Sequence, residues 1–577
     1  MGLPKKHKVL LFPVPVKEYK RSVFGSTSLR AVRTVINKSS DATAFVFDRK
    51  IHYKNAGRCL SHIAKRKDAK FIGFSVSSDD VVHSMVLLMA LNRKHPEKIP
   101  VLGGPAALTD AKELANFLCN GAKKFVVFGA EAENSLSNPN LFSLLDKFFR
   151  KKISPAERNE LEKVHGLIIV NNGKIELQGK FGKEGKAERP SQQEMDKFGI
   201  AFVKSPEYES VDLVSQRGCP HGCRFCAEIH GNQFRHYSNE SVINLFLKLA
   251  KDRRINLISF DDDNFIANKK RLLGNPYGKT EGERKGLLKL IRENNLHKRF
   301  AFSFQTNPID LTALVRRNGK PVRVIDKQII KELKSANFRS FALGTESLNP
   351  SLRERLGKPK ISDKLLTELI HYTSDNFDKV EHYSIMSDQH STPAEMVDDL
   401  IRKISVLRKV RNGREEILNN VSFIRPSLNV SLFKGTELFE NAEPSKTRTL
   451  TPFHKEPKIT PASNEFLHVF SDALEKEALK RKIPKHRLVL TPPLGDKILL
   501  SYLHKIADNH FQNFQNGQEI ADVLEALTRN RKKEPGTSTG IIQQNLAFFL
   551  RLIEQDEKIK PKIKQNAIQA IKRKSNT

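Results

Sequence analysis

The sequence predicts an α/β protein: an N-terminal doubly wound parallel sheet, then a partial (β/α)6 barrel, then a small α-helical C-terminal region. Three observations carry this. Short apolar runs alternate with helix-periodic stretches through the first 140 residues. The alternation resumes between residues 205 and 440 with six βα-type repeats. Beyond residue 441 the chain turns Pro- and Lys-rich and then helix-periodic. A chain of 577 residues is too long for one ordinary domain. The division expected is 1–140, a linker with a β-hairpin over 141–204, 205–440 and 441–577.

In the first unit the strands fall at residues 8–15, 42–48, 69–78, 99–105 and 123–131, with helices such as 80–95 and 110–120 between them. Strands alternating with helices give a parallel sheet, and ligands of such sheets sit beyond the carboxyl ends of the strands. "SVSSDD", "GGP" and "GAEAE" fall there. Over 165–180, β-branched runs flank Asn172-Gly173, a hairpin signal. Residues 182–193 are charged and turn-rich, as a linker would be. The second unit has strands at 211–216, 255–263, 300–307, 338–347, 380–388 and 421–430. A curled partial barrel or a second doubly wound sheet satisfies this pattern. C-terminal helices are expected at 466–482, 496–511 and 540–555, ending in a basic amphipathic tail.

Five cysteines in this length exclude a disulfide framework. Pro13, Pro15 and Lys17 interrupt the N-terminal apolar run, and the longest apolar stretch, near residue 85, is too short to span a bilayer. A cytoplasmic protein without a membrane span is expected, and in a reducing compartment clustered cysteines mean metal or catalysis. The net charge of +34 is spread along the chain: +12 over 1–140, +13 over 141–440 and +9 over 441–577. No single basic arm accounts for it, and no RNA-binding motif accompanies it.

Three of the five cysteines, Cys219, Cys223 and Cys226, lie in "RGCPHGCRFCAE", just after a strand. A closed structural zinc site would want a fourth soft ligand; His221 and His230 are near in sequence, whereas Cys59 and Cys119 are remote. Three thiolates on a cubane iron–sulfur cluster leave one iron open to a substrate or cofactor. Gly218 and Gly222 let backbone N–H groups approach the sulfides.

This C-x3-C-x2-C stretch, with Phe225 before its last cysteine, resembles the cluster loop of the radical S-adenosylmethionine (SAM) superfamily. Residues 234–265, "FALGTES" (341–347) and "NVSLFKGTELF" (429–439) resemble segments of the subgroup that joins a cobalamin-binding domain to the radical SAM barrel. "GFSVSS", "VLGGP" and "VFGAEAE" resemble strand ends of that cobalamin-binding (B12) domain. The departures are a missing Asp-x-His-x-x-Gly and Ala130-Glu131-Ala132 where Glu-Gly-Glu is usual.

The resemblance implies a [4Fe-4S] cluster on the three cysteines and S-adenosylmethionine on the open iron. It implies Phe225, Asp262, Asp263, Glu346 and Ser347 as SAM-binding residues, with Asp261, Gln305 and Asn307 as further strand-end candidates. For cobalamin it implies Ser75, Ser77, Gly103, Gly104, Gly129 and Glu131. The activity implied is reductive cleavage of S-adenosylmethionine to functionalise an unactivated carbon, as a cobalamin-dependent methyltransferase. A non-methylating cyclase, oxidase or rearrangement enzyme is the alternative. A basic RNA- or polyanion-binding protein with a structural cluster is the alternative of another class. The partners implied are a flavodoxin- or ferredoxin-type one-electron reductant and a substrate that is a small molecule, a peptide or RNA. The sequence assigns no catalytic residue beyond the cluster and SAM site.

Overall fold

In the computed structural model the described residues run from 7 to 457, without 14–23, 47–55, 79–80, 120–121, 137, 182–188, 206–208, 228–230, 386, 392–394, 396–397, 400–401, 404–405, 407, 412–413, 419 and 424–429. The helices and basic tail expected after residue 457 lie outside them, as do parts of the strands expected at 8–15, 42–48, 380–388 and 421–430.

The apolar runs of the first unit become β1 (His7–Pro13), β2 (Ala42–Val46), β3 (Phe71–Ser75), β4 (Ile99–Gly103) and β5 (Phe125–Phe128). All five are parallel, in the order β2-β1-β3-β4-β5. Alternate side chains of each strand enter different cores. Leu10, Phe12, Ile72 and Phe74 meet helices Val81–Lys94 and Pro105–Cys119. Val9, Leu11, Phe71 and Val126 meet helices Phe24–Ser39 and Leu141–Phe149. Burial on both faces is why these strands read as unbroken apolar runs. The strand order reverses between β1 and β3, which opens a crevice at their carboxyl ends. The Asn172-Gly173 hairpin forms as expected, with positive φ at both turn residues. Its strands, β6 (Leu167–Asn171) and β7 (Lys174–Gln178), extend the first sheet antiparallel to β5.

The second sheet begins with an antiparallel edge, β8 (Phe202–Ser205), on β9 (Ser210–Leu213). A short ribbon follows, β10 (Gln216–Arg217) against β11 (Arg235–His236). Then come β12 (Leu257–Phe260), β13 (Ala301–Thr306), an excursion through the hairpin β14 (Thr312–Arg317) and β15 (Lys320–Ile325), β16 (Phe338–Glu346) and β17 (Lys379–Ser384). A second hairpin, β18 (Arg408–Arg411) and β19 (Arg414–Ile417), precedes β20 (Val421–Phe423). The order β9-β12-β13-β16-β17-β20 is parallel and strictly sequential. Right-handed crossovers that never reverse direction put every helix on one side, so the sheet curls into an open barrel. The doubly wound alternative for this unit is thereby excluded.

The outer face is one apolar core, in which Phe260, Phe302, Phe304, Phe338 and Phe341 pack against helices Asn239–Leu249, Lys327–Ser335 and Asp363–Asn376. Phe302 and Phe338 stack across adjacent strands at 5.0 Å, as do Phe304 and Phe341. Period-two alternation then turns Asp212, Ser259, Ser303, Gln305, Glu381, Tyr383 and Ser422 to the concave side. The barrel thus has a polar interior. Among the described residues no helix is long and apolar enough to cross a membrane.

Candidate functional site

The three-cysteine loop leaves β10 at the carboxyl mouth of this barrel. Gly218 makes the turn with φ +99°, and a Cβ there would strike the carbonyl oxygen of Gln233. The Gly218 N–H donates to Asp263 Oδ2 at 2.7 Å, and the Cys219 N–H to the Gly231 carbonyl at 3.0 Å. Farther along, the Arg224 N–H donates to the Leu356 carbonyl and the Arg224 carbonyl accepts from the Leu438 N–H, both at 3.0 Å. Gly357, at φ +68°, lets this chain pass, since a Cβ there would sit 2.7 Å from Arg224 Cγ. The loop is therefore tied to the barrel at both ends. Burial raises the Cys223 thiol, against a lowering pull from Lys358. Among the described residues no three His, Cys, Asp or Glu side chains converge at the spacing a single ion needs. The three thiols share a loop rather than a point.

Two polar groups back the loop. His221 Nε2 lies 2.7 Å from Asp310 Oδ2. Asn264, 1% exposed, points its amide nitrogen at Cys219 Sγ (3.7 Å) and Asp310 Oδ2 (2.8 Å). Phe225 is half-buried against Leu352, Leu356 and Phe439, with Lys358 Nζ 5.9 Å from its ring centre.

The strand-end acids separate into different roles. Asp263 holds Gly218, as described. Asp262 is fully buried and its carboxylate accepts from Ser215 N (2.5 Å), Ser215 Oγ (2.7 Å) and Gln216 N (3.0 Å). Both oxygens thus fix β10. Ser347 is tied into the fold likewise. It is fully buried and donates to Asp399 at 2.6 Å, and Asp399 also accepts from the Leu348 and Asn349 N–H groups. Asn307 caps its own turn through the Ile309 N–H. Glu346 is buried at the end of β16 with φ +61°, a strained setting for a residue with a side chain, and its carboxylate lies 3.5 Å from Lys358 Nζ.

Deeper in the barrel, the Tyr383 hydroxyl donates to Gln305 Oε1 at 2.9 Å, and Gln305 Nε2 donates to the Asp262 carbonyl at 2.9 Å. Burial, with neighbouring Asp212 and Asp262, pushes Asp261 up to about 8. Burial alone pushes Asp212 up to about 6. Lys358, Asn264, Asp212 and Tyr383 escaped the sequence reading. Asp212 and Tyr383 were legible, as polar residues at the inward phase of apolar strands. Lys358 and Asn264 gave no signal beyond their residue types.

At the first sheet, a largely apolar cleft opens at the β1/β3 reversal. Ser75, Gly103, Gly104 and Glu131 line it, and Val214, Arg217 and Tyr237 close it from the barrel side. Gly104, at φ +97°, faces its own fold, because a Cβ would lie 2.7 Å from Ser75 Oγ and Val76 N. Gly129 is not among the residues that line the cleft; a Cβ there would sit 2.5 Å from Ala111 Cβ, so the glycine admits helix Pro105–Cys119. Ser77 is half-buried just past β3 and is not part of the lining. Glu131 is already engaged. It pairs with Arg217 and with Arg235 (2.6 Å), while Glu133 holds Arg217 at 2.9 Å. Arg217 thus touches the cleft and immediately precedes the cysteine loop.

Comparison with known proteins agrees with this geometry. Residues 213–404 match the model of the Radical SAM superfamily. The chain is 23% identical over 309 residues to an uncharacterized methyltransferase, PH0819, of Pyrococcus horikoshii. That match takes in 52% of this chain and 56% of the relative, so the chain spans little more than half of that relative's length. Two solved structures of the cobalamin-dependent S-adenosylmethionine radical enzyme OxsB align over 99% of this chain. One, with aqua-cobalamin bound, has a TM-score of 0.56 and 84% of its chain covered. The other, with aqua-cobalamin and S-adenosylmethionine, has 0.55 and 83%. At 14% identity this is a likeness of fold.

Proposed function

From a chain that carries a radical SAM domain over residues 213–404, we propose a radical SAM enzyme that functionalises an unactivated carbon, with methyl transfer as its outcome. The observation that carries this is the cysteine loop pinned at the mouth of a polar-lined barrel that faces the first sheet's cleft. The donor set fits an iron–sulfur cluster: three soft thiols, one glycine turn that admits no side chain, and a lysine nearby. Cys219, Cys223 and Cys226 would hold the [4Fe-4S] cluster. Phe225, Glu346 and Lys358 would line the S-adenosylmethionine site, with Asp263 fixing the loop behind it. Bound together, these cofactors supply one-electron cleavage of a carbon–sulfur bond and hydrogen abstraction from the substrate.

The protein's own part is positional. Asp262 and Asp263 fix β10 and Gly218, and the strained backbone at Glu346 aims its carboxylate at Lys358. Tyr383, Gln305 and the acids Asp212 and Asp261 would orient a substrate inside the barrel. The first cleft fits a bulky, mainly apolar ligand, and cobalamin held there would supply a methyl carrier. A second reading is favoured by Gly129 and Glu131, which serve the protein's own packing: cluster chemistry without corrin. A one-electron reductant is part of either reading, and the substrate is an organic molecule with an unactivated carbon.

The test is anaerobic reconstitution with iron, sulfide and hydroxocobalamin. About four irons per chain, lost in the Cys219→Ala/Cys223→Ala/Cys226→Ala variant, are expected. Retained corrin supports methyl transfer, and a cluster without corrin supports the second reading. Zinc, or no metal, refutes both.

A further inference from the structure

We propose that Asn264 sets the reduction potential of the cluster by donating an N–H to the sulfur of Cys219. The inference rests on the cluster assignment above and adds to it a residue that holds no iron. Asn264 sits one position past Asp263 and is 1% exposed. Its Nδ2 lies 3.7 Å from Cys219 Sγ, within hydrogen-bond range for sulfur, and 2.8 Å from Asp310 Oδ2. Its Oδ1 accepts from Thr306 Oγ1 at 2.7 Å.

This arrangement fixes which way the amide faces. A carboxylate accepts and cannot donate, so Asp310 selects the nitrogen. The Thr306 hydroxyl donates to the oxygen on the opposite side. Flipping the amide would set its oxygen against both the carboxylate and the sulfur. The backbone is held as well, since the Asn264 carbonyl accepts from Gln216 Nε2 at 2.5 Å. The donor is therefore preorganised, in a buried site where hydrogen bonds to charged acceptors are strongest.

A thiolate sulfur gains negative charge when its cluster accepts an electron. An N–H aimed at that sulfur stabilises the reduced form more than the oxidised form and raises the potential. Loss of this one hydrogen bond should lower the reduced fraction at a fixed potential about tenfold, which for a one-electron couple is about 59 mV.

The experiment is an anaerobic dithionite titration of the full reconstituted chain, followed by absorbance and electron paramagnetic resonance. Wild type is compared with Asn264→Leu, which removes the donor, and Thr306→Val, which keeps the donor and frees the amide to turn. Each sample is assayed for iron. The expected result is wild-type iron content in both variants, with a potential more negative by about 59 mV in Asn264→Leu and by less in Thr306→Val. If Asn264→Leu loses its cluster, Thr306→Val decides: a lowered potential supports the proposal, and an unchanged one overturns it. Unchanged potentials with full iron in both variants overturn it, leaving Asn264 a purely structural residue. Loss of iron from both variants overturns it too. Absence of iron from the wild type refutes the cluster assignment itself, which separates the two failures.

Discussion

Replacing Arg217 by methionine tests how firmly the first sheet is bound to the barrel. Methionine keeps most of the apolar stem and removes the guanidinium. The side chains of Arg217, Glu131 and Glu133 are 9%, 6% and 2% exposed. Burial opposes the charge on Arg217, but Glu133 and Glu131 more than offset it and raise the guanidinium well above its usual range. In the variant Glu131 keeps Arg235, whereas Glu133 loses its 2.9 Å partner. Removing one member of a buried ion pair costs about 3–5 kcal/mol, because the other charge is left in a poor solvent. Glu133→Gln should recover at least about 1 kcal/mol of that in the double variant. The chain has no tryptophan, so unfolding is best followed by circular dichroism and calorimetry. The deficit should also depend on pH. An unpaired buried carboxyl has a raised folded pKa, so its penalty is full at neutral pH and shrinks as acid protonates it. A deficit below about 0.5 kcal/mol, or one that grows as pH falls, would refute the buried-pair account.

Three further outcomes follow from the same geometry. Asp261 has its folded pKa raised to about 8, so folded protein binds more protons than unfolded protein between about pH 4 and 8, and stability falls as pH rises through that window. Asp261→Asn should flatten the slope above about pH 6, leaving the part that Asp212, raised to about 6, contributes below it, and should stabilise by up to about 5 kcal/mol at pH 7.5, read from paired melts at pH 5 and 7.5. Gly218→Ala combines positive φ with a backbone collision, so it should cost about 2 kcal/mol or more and lower iron uptake on reconstitution. Glu346→Gly relieves a left-handed residue and should leave stability within about 1 kcal/mol of wild type while weakening S-adenosylmethionine binding, measured by calorimetry on the reconstituted protein.

The backbone was more legible than the site. Apolar runs and turn residues sufficed for five parallel strands, then six, because burial on a parallel sheet leaves a strong mark on composition. The hairpin β14–β15 was missed although Asn318-Gly319 marks its turn, because its strands carry Arg316, Arg317, Lys320 and Arg323 and read as loop. At the site, the spacing of the three cysteines marked them out, and the structure puts them on one loop at the barrel mouth. The acids were legible only as strand ends. A strand end offers neighbouring residues to opposite directions, and the sequence does not say which one turns inward. Asp262 and Ser347 turned into the fold to tie down β10 and the turn after β16, while Asp261 and Glu346, one residue earlier, stayed at the barrel. Pairings such as Glu131 with Arg217, 86 residues apart, have no local signature.

The two residues at the start of the cysteine loop belong to different halves of the molecule. Arg217 is held by Glu131 and Glu133 from the end of β5, and Gly218 is held by Asp263 from the end of β12. Adjacent Cα atoms are 3.8 Å apart across a trans peptide, so neither anchor can shift far without moving the other. Gly218 cannot absorb the motion, because the space beside it is filled by Gln233. A ligand that filled the first cleft would press on Arg217 and Tyr237, which close it from the barrel side. Its effect would reach Cys219 through two peptide units rather than through solvent. The position of the cysteine loop is thus set jointly by both sheets.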